Sequence, residues 1–124
     1  MSTFEFIVSG LEDFDVLHVS KPRFVLKEQV EFGDLFIQLE NKSNPSCAHA
    51  VMNWLTQQLE TNERRTATLK IFDDSGTVLE EWEYKDLEIT CADFGELDVT
   101  WDNNDNYTRI ELQCKYSSAT LKNL

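Results

Sequence analysis

Apolar and polar residues alternate with period two along most of this chain, and each alternating run predicts a half-buried strand. Phe4, Phe6 and Val8 alternate with Glu5 and Ile7 before a turn at Gly10, and a second short run spans Phe14 to Val19. Phe24-Val25-Leu26 makes a third, and Leu35, Ile37 and Leu39 alternate with Phe36, Gln38 and Glu40 in a fourth. The third and fourth runs are apolar on both faces, so one face is expected to meet a second copy of the chain. Further on, Leu69 and Ile71 alternate with Thr68 and Lys70, and Asp73-Asp74-Ser75-Gly76 has the composition of a hairpin turn. Val78, Glu80, Trp82 and Tyr84 share a face of the return strand, and Leu87, Ile89 and Cys91 continue the period after Asp86. Leu97, Val99 and Trp101 then oppose Glu96, Asp98 and Thr100. In the last run Ile110, Leu112, Cys114 and Tyr116 oppose Arg109, Glu111, Gln113 and Lys115. A slip of one residue would turn that apolar set into water, so its register is strongly specified.

One segment breaks the period. Asn44 is a suitable N-cap and Pro45 fits the first helical position, where a missing N–H costs nothing. Ala48, Val51, Met52, Leu55 and Leu59 follow at helical spacing as one apolar stripe, with Gln57, Gln58 and Glu60 facing away. Thr61-Asn62 ends the helix. About seven or eight strands and one helix predict a mainly β fold, a β-sandwich or open barrel with one capping α-helix. The expected core includes Leu97, Val99, Trp101, Ile110, Leu112, Cys114, Val51 and Leu55.

Composition narrows the functional classes. The 124 residues fit a single domain over 1–124, large enough for a real core. Twenty-three acidic residues against eleven basic ones give a net charge of −12. That balance disfavours a surface built to grip phosphates or anionic membranes. No apolar run is long enough to span a bilayer. Met1 to Glu5 carries no basic stretch ahead of an apolar core, so the expectation is a protein made and kept in a cytoplasm until something releases it. Cys47, Cys91 and Cys114 form no CxxC pair, and an odd count speaks against a disulfide framework or a zinc site; small reduced core residues are expected.

Catalytic and metal-binding patterns are missing. His18 and His49 are far apart, and Asn53 stands where an HxxxH pattern needs its second histidine. There is no GxSxG, Walker A or GxGxxG sequence. Glu80 and Glu81 are neighbours on a strand and point to opposite faces, so they cannot share a proton. Asp102, Asn104 and Asn106 begin with calcium-loop spacing, but Tyr107 replaces the required glycine and Gln113 the bidentate glutamate. No cofactor and no enzymatic activity are expected.

The stretch from Arg64 to Tyr116, with the helix before it, resembles the tail tube proteins of contractile-tailed, T4-type phages. The parts stand in the family's order: a helix carrying a Trp (His49 to Leu55), a strand and turn (Thr68 to Gly76), and a return strand with a central aromatic (Leu79 to Tyr84). Leu87-Glu88-Ile89-Thr90 follows where the family usually has a Trp-Pro pair. Gly95-Glu96-Leu97-Asp98-Val99-Thr100-Trp101-Asp102-Asn103-Asn104 resembles the family's Gly-Glu-Leu and Asp-Trp-Asp-Ser-Asn-Asn block, ahead of a last strand from Thr108 to Tyr116.

The resemblance implies hexameric rings stacked into a tube, with strands of neighbouring copies joined into one inner barrel. It also implies the partners of such a tube, namely a tail sheath, a baseplate hub and a tail terminator, and a place in the virion tail after assembly in the host cytoplasm. DNA is expected to pass through the bore without specific binding, past acidic side chains whose repulsion reaches about 8 Å at physiological salt. Glu96, Asp98 and Glu40 are the expected bore-lining acids. Two other readings compete: a single-ring tube initiator or terminator, and a monomeric β-sandwich binding module with Phe32, Phe36 and Trp54 as its ligand face.

Overall fold

A computed structural model describes residues 3–10, 15–40, 47–95 and 109–123. Among them the elements run β1 (Phe4–Val8), β2 (Asp15–Val19), β3 (Phe24–Leu26), β4 (Val30–Phe32), β5 (Leu35–Glu40), α1 (Cys47–Thr61), β6 (Arg65–Phe72), β7 (Val78–Asp93), β8 (Arg109–Lys115) and β9 (Ser118–Leu121). The mainly β fold with one helix matches the reading from alternation. The predicted helix cap, Asn44 and Pro45, lies outside the described residues, as do Glu96, Leu97, Asp98, Val99 and Trp101.

The 16-residue strand β7 organises the molecule. Its first half pairs antiparallel with β6, which in turn pairs with β1. Along its other side run β8 and β9 in succession: β9 pairs with Trp82 to Lys85, and β8 with Glu88 to Asp93. β5 and then β2 extend the sheet beyond β8, giving the order β1-β6-β7-β8-β5-β2. The outer strands β1 and β2 come close to each other, so the sheet curls into a sandwich-like shell. The bend falls where Asp86 takes a positive φ of 56°. There Ser117, between β8 and β9, donates its N–H to the Lys85 carbonyl at 2.9 Å and its hydroxyl to Asp86 Oδ2 at 2.5 Å.

Alternation fills the shell. Phe6, Val8, Ala67, Leu69, Tyr84, Leu87, Ile89, Leu35, Ile37, Leu39, Ile110, Leu112 and Cys114 all point inward and are buried. Each large aliphatic side chain buried in this way contributes roughly 1.5–3 kcal/mol. Ile110, Leu112, Cys114 and Val51 thus occupy the core expected of them, and Leu55 packs against it.

The helix lies on the core with a face that matches the predicted stripe only in part: Ala48, Val51 and Leu55 pack there as expected. Cys47, Val51 and Trp54 are buried, whereas Met52 and Leu59 are exposed, Leu59 to 76%. An indole hides more apolar surface than a methionine or leucine side chain, and spacing i, i+4, i+7 suits Cys47, Val51 and Trp54. The helix ends after Thr61 at Asn62, whose positive φ of 57° and N–H donated to the Gln58 carbonyl at 3.0 Å make a C-terminal cap.

Three further differences have identifiable causes. Cys91 is exposed, because a register shift between Ile89 and Cys91 reverses the facing of the strand and turns Ala92 inward instead. Two strands, β4 and β9, go beyond the predicted set. β4 pairs with β3 as a separate hairpin, anchored by Phe24 against Phe32 at 5.4 Å and Phe32 against Tyr116 at 5.5 Å between ring centroids. The 73–76 turn forms as expected: Asp73 Oδ1 accepts the N–H of Ser75 and of Thr77, each at 2.9 Å. These bonds hold the Asp73 carboxyl below its ordinary pKa, with the Ser75 side chain as the largest cause.

Candidate functional site

Because the inward positions of β7, β8, β5 and β2 fill the core, the alternate positions form an outward face on the four-stranded half of the sheet. Register sets its rows. Gln38 stands between His18 and Glu111, and Glu111 lies opposite Asp93. Phe36 lies opposite Gln113, and Glu40 opposite Arg109. Gln38 Nε2 donates to Glu111 Oε1 at 3.3 Å, and Gln113 Nε2 donates to Asp34 Oδ2 at 2.7 Å. The face is open and shallow; a hollow of about 370 Å³ on it is lined by His18, Phe36, Ile37, Gln38, Glu111 and Leu112.

Glu40 is therefore on an outward face that could line a bore, and it stands beside Arg109 rather than in a run of acids. Across the described part of this face Glu40, Glu88, Asp93 and Glu111 face Arg109 and Lys115, an excess of two negative charges. Six acids (Glu12, Asp13, Glu96, Asp98, Asp102 and Asp105) and one lysine, Lys42, fall outside the described residues, so a good part of the −12 lies there. Asp93 and Glu111 oppose each other with like charge, an arrangement that works against pairing.

The borders of this half-sheet matter as much as its face. β2 pairs with β5 alone among the described strands, and β7 beyond Leu87 pairs with β8 alone. Unpaired strand borders are templates for another chain. A register shift between Val16 and His18 bends β2 locally.

A second protruding feature is the β3–β4 hairpin. Its register partners Leu26 and Val30 are exposed, Leu26 to 79%, beside a Lys27–Glu31 ion pair of 3.4 Å. The base of the hairpin is tied down by Lys21 Nζ on Glu80 at 2.8 Å and by Phe24 against Trp82. Lys21 and the indole N–H of Trp82 both bond to the Glu80 carboxyl and lower its pKa, Lys21 more strongly.

The ligand face of the binding-module reading does not assemble. Trp54 is 1% exposed inside the core, and Phe32 is partly buried by Tyr116; only Phe36 stands open. No group of three or more His, Cys, Asp or Glu side chains able to hold a metal occurs among the described residues. Among the described residues, no helix is long and apolar enough to cross a membrane. The acids of the outward face other than Glu40 went unassigned in the sequence reading, although Glu111 and Asp93 sit at alternating positions that only strand register brings together.

No known family profile matches the sequence, and no curated protein matches it. Solved structures do match. Hcp1 from Flavobacterium johnsoniae superposes with a TM-score of 0.67 at 15% identity, over 97% of this chain and 94% of that one. A chain from the sheath–tube complex of the PVC extracellular contractile injection system, in its extended state, gives 0.59 at 14% identity over 96% and 88%. The tube-terminating cap of the anti-feeding prophage gives 0.58 at 16% identity and covers 100% of this chain and 91% of that one. At these identities it is the fold that is shared. The described strands and helix thus share the mainly β, one-helix fold of Hcp1 and of these two chains.

Proposed function

We propose that this chain is a structural subunit of the tube of a contractile, phage-tail-like device, acting as one domain without catalysis. The observation that carries this reading is the four-stranded half-sheet, with a polar outward face and two lateral borders that lack a partner strand among the described residues, in a fold shared with a chain of a sheath–tube complex. Copies joined border to border satisfy those strands and place the polar face around a common axis. Contacts above and below each ring do not close by rotation and so stack it into a tube. Six copies per ring, a bore lined by Glu40 and its neighbours, and cargo that slides past without binding complete the proposal. For DNA, the excess of carboxylates supplies weak repulsion at the wall. Sheath, baseplate and terminator subunits are its proposed partners and the tail of the particle its proposed location, after assembly in a cytoplasm.

A second reading, a single-ring cap, is favoured by the full coverage of this chain by the tube-terminating cap. Light scattering with electron microscopy of the purified chain separates the two. Open-ended growth is expected of a tube subunit and one closed ring of a cap; a 14.4 kDa monomer at every concentration refutes both.

A further inference from the structure

The border of β7 is occupied in steps. As far as Leu87 it is taken by β6, whose Arg65 is the register partner of Leu87. One residue on, Arg64 reaches Glu88 through a 2.8 Å ion pair instead of a backbone bond. At Ile89 the helix takes over. Gln58 Nε2 donates to the Ile89 carbonyl at 2.9 Å, and the Ile89 N–H donates to Gln58 Oε1 at 2.8 Å. A carboxamide carries the donor and acceptor of a peptide unit, so this side chain gives Ile89 both bonds that a neighbouring strand would supply. From Cys91 to Asp93 no described strand occupies that border, and Cys91 and Asp93 are exposed.

We propose that Gln58 is a strand surrogate that shuts the border of β7 at Ile89, and so fixes where the strand of a second copy joins. This rests on the ring assembly proposed above. Among the described residues, a strand arriving along β7 meets an open border only past Ile89, beside Cys91 to Asp93. The stop matters because side chains alternate along a strand. A joining strand displaced by one residue would turn its polar side to the core and its apolar side to the bore. The helix thereby does two tasks: Val51 and Trp54 seal the shell, and Gln58, the next residue on that face, limits what may be added to the sheet.

Two variants test this. Gln58→Leu keeps the volume and removes both bonds; Gln58→Glu keeps an acceptor for the Ile89 N–H and sets a carboxylate oxygen against the Ile89 carbonyl. In the unassembled chain, hydrogen exchange followed by NMR is expected to show the Ile89 amide exchanging about tenfold faster in Gln58→Leu, the factor that corresponds to one ordinary hydrogen bond. In electron micrographs, wild-type rings of one diameter are expected to give way to rings of mixed diameter or to lateral aggregates. If Gln58→Leu does not fold by circular dichroism, Gln58→Glu serves the same comparison, with mixed rings again the expected result. Unchanged Ile89 exchange, or variant rings of the single wild-type diameter, overturns the role of Gln58 and leaves the tube reading standing. Wild-type protein that forms no rings at all removes the tube reading and this proposal with it.

Discussion

Alkaline pH should destabilise this protein through Cys114. The thiol is fully buried on β8, and burial, with smaller contributions from Asp34 and Glu88, pushes its pKa from 9.0 to about 12. Between those values the unfolded chain releases this proton and the folded chain keeps it, so the unfolded state binds fewer protons. Stability is then complete below pH 9 and falls as pH rises toward 12. The slope for one such group is on the order of 1 kcal/mol per pH unit, against a total of about 5–15 kcal/mol for an ordinary domain. For a chain of this size it corresponds to about 3–6 °C in Tm per pH unit. Buried Tyr84, whose hydroxyl donates to the Ser20 carbonyl at 3.2 Å, is shifted upward by burial and by Tyr116, and adds to the loss above pH 10. Thermal melts from pH 8.5 to 11.5 on the wild type and Cys114→Ala check this. The variant starts from a lower Tm because of the lost packing, but its decline between pH 9 and 11 should be shallower. Self-repulsion from deprotonating lysines is common to both proteins and cancels in the comparison. Equal slopes would refute the argument, since the thiol would then ionise as easily folded as unfolded.

Other outcomes follow from the core and from the 73–76 turn. Trp54→Ala leaves a cavity under the helix and should cost about 3–5 kcal/mol, measured by denaturant unfolding; a loss under 1 kcal/mol would mean the helix is not seated on the core as described. Asp73→Ala removes the acceptor shared by Ser75 and Thr77, and should lower Tm at neutral pH. The Asp73 carboxyl is held below its ordinary pKa. Its contribution is therefore present above the usual carboxylate range and fades as pH falls through its lowered value, so wild type and variant should converge in Tm in strong acid.

Alternation revealed most of the strands because it reports which side of the backbone meets the core, and that is a property of single residues. It carried Phe6 and Val8, Leu35 to Leu39, and Ile110 to Cys114 into the shell correctly. It failed wherever the backbone itself changes register. The shift at Thr90 exposes Cys91 although its parity with Leu87 and Ile89 is correct for a regular strand. β9 was missed because Ser118-Ala119-Thr120-Leu121 has little apolar contrast; pairing with Trp82 to Lys85 makes it a strand. Of the helix stripe, Ala48, Val51 and Leu55 pack on the core as expected while Met52 and Leu59 are exposed; Trp54, outside that stripe, turns inward because its large apolar area outweighs its one N–H.

The same distinction explains why the candidate site was only half legible. Glu40 was identifiable as outward-facing from its own strand, but its neighbour Arg109 comes from a strand 69 residues later and becomes visible only through register. That neighbour changes the electrostatics: a wall of isolated acids repels a polyanion strongly, whereas Arg109 and Lys115 offset two of the four acids at the described positions and leave a weaker negative field. Gln58 is the stronger case. By composition it is a polar residue suited to solvent, and its spacing after Val51 and Trp54 puts it on their face without saying what it bonds. Its role comes from an unpaired backbone at Ile89, which polarity patterns do not encode because every residue except proline carries the same N–H and C=O. Under the proposed assembly, in which copies join through strand borders, the decisive chemistry is in those repeated backbone groups, so the borders must be read from pairing and the faces from sequence.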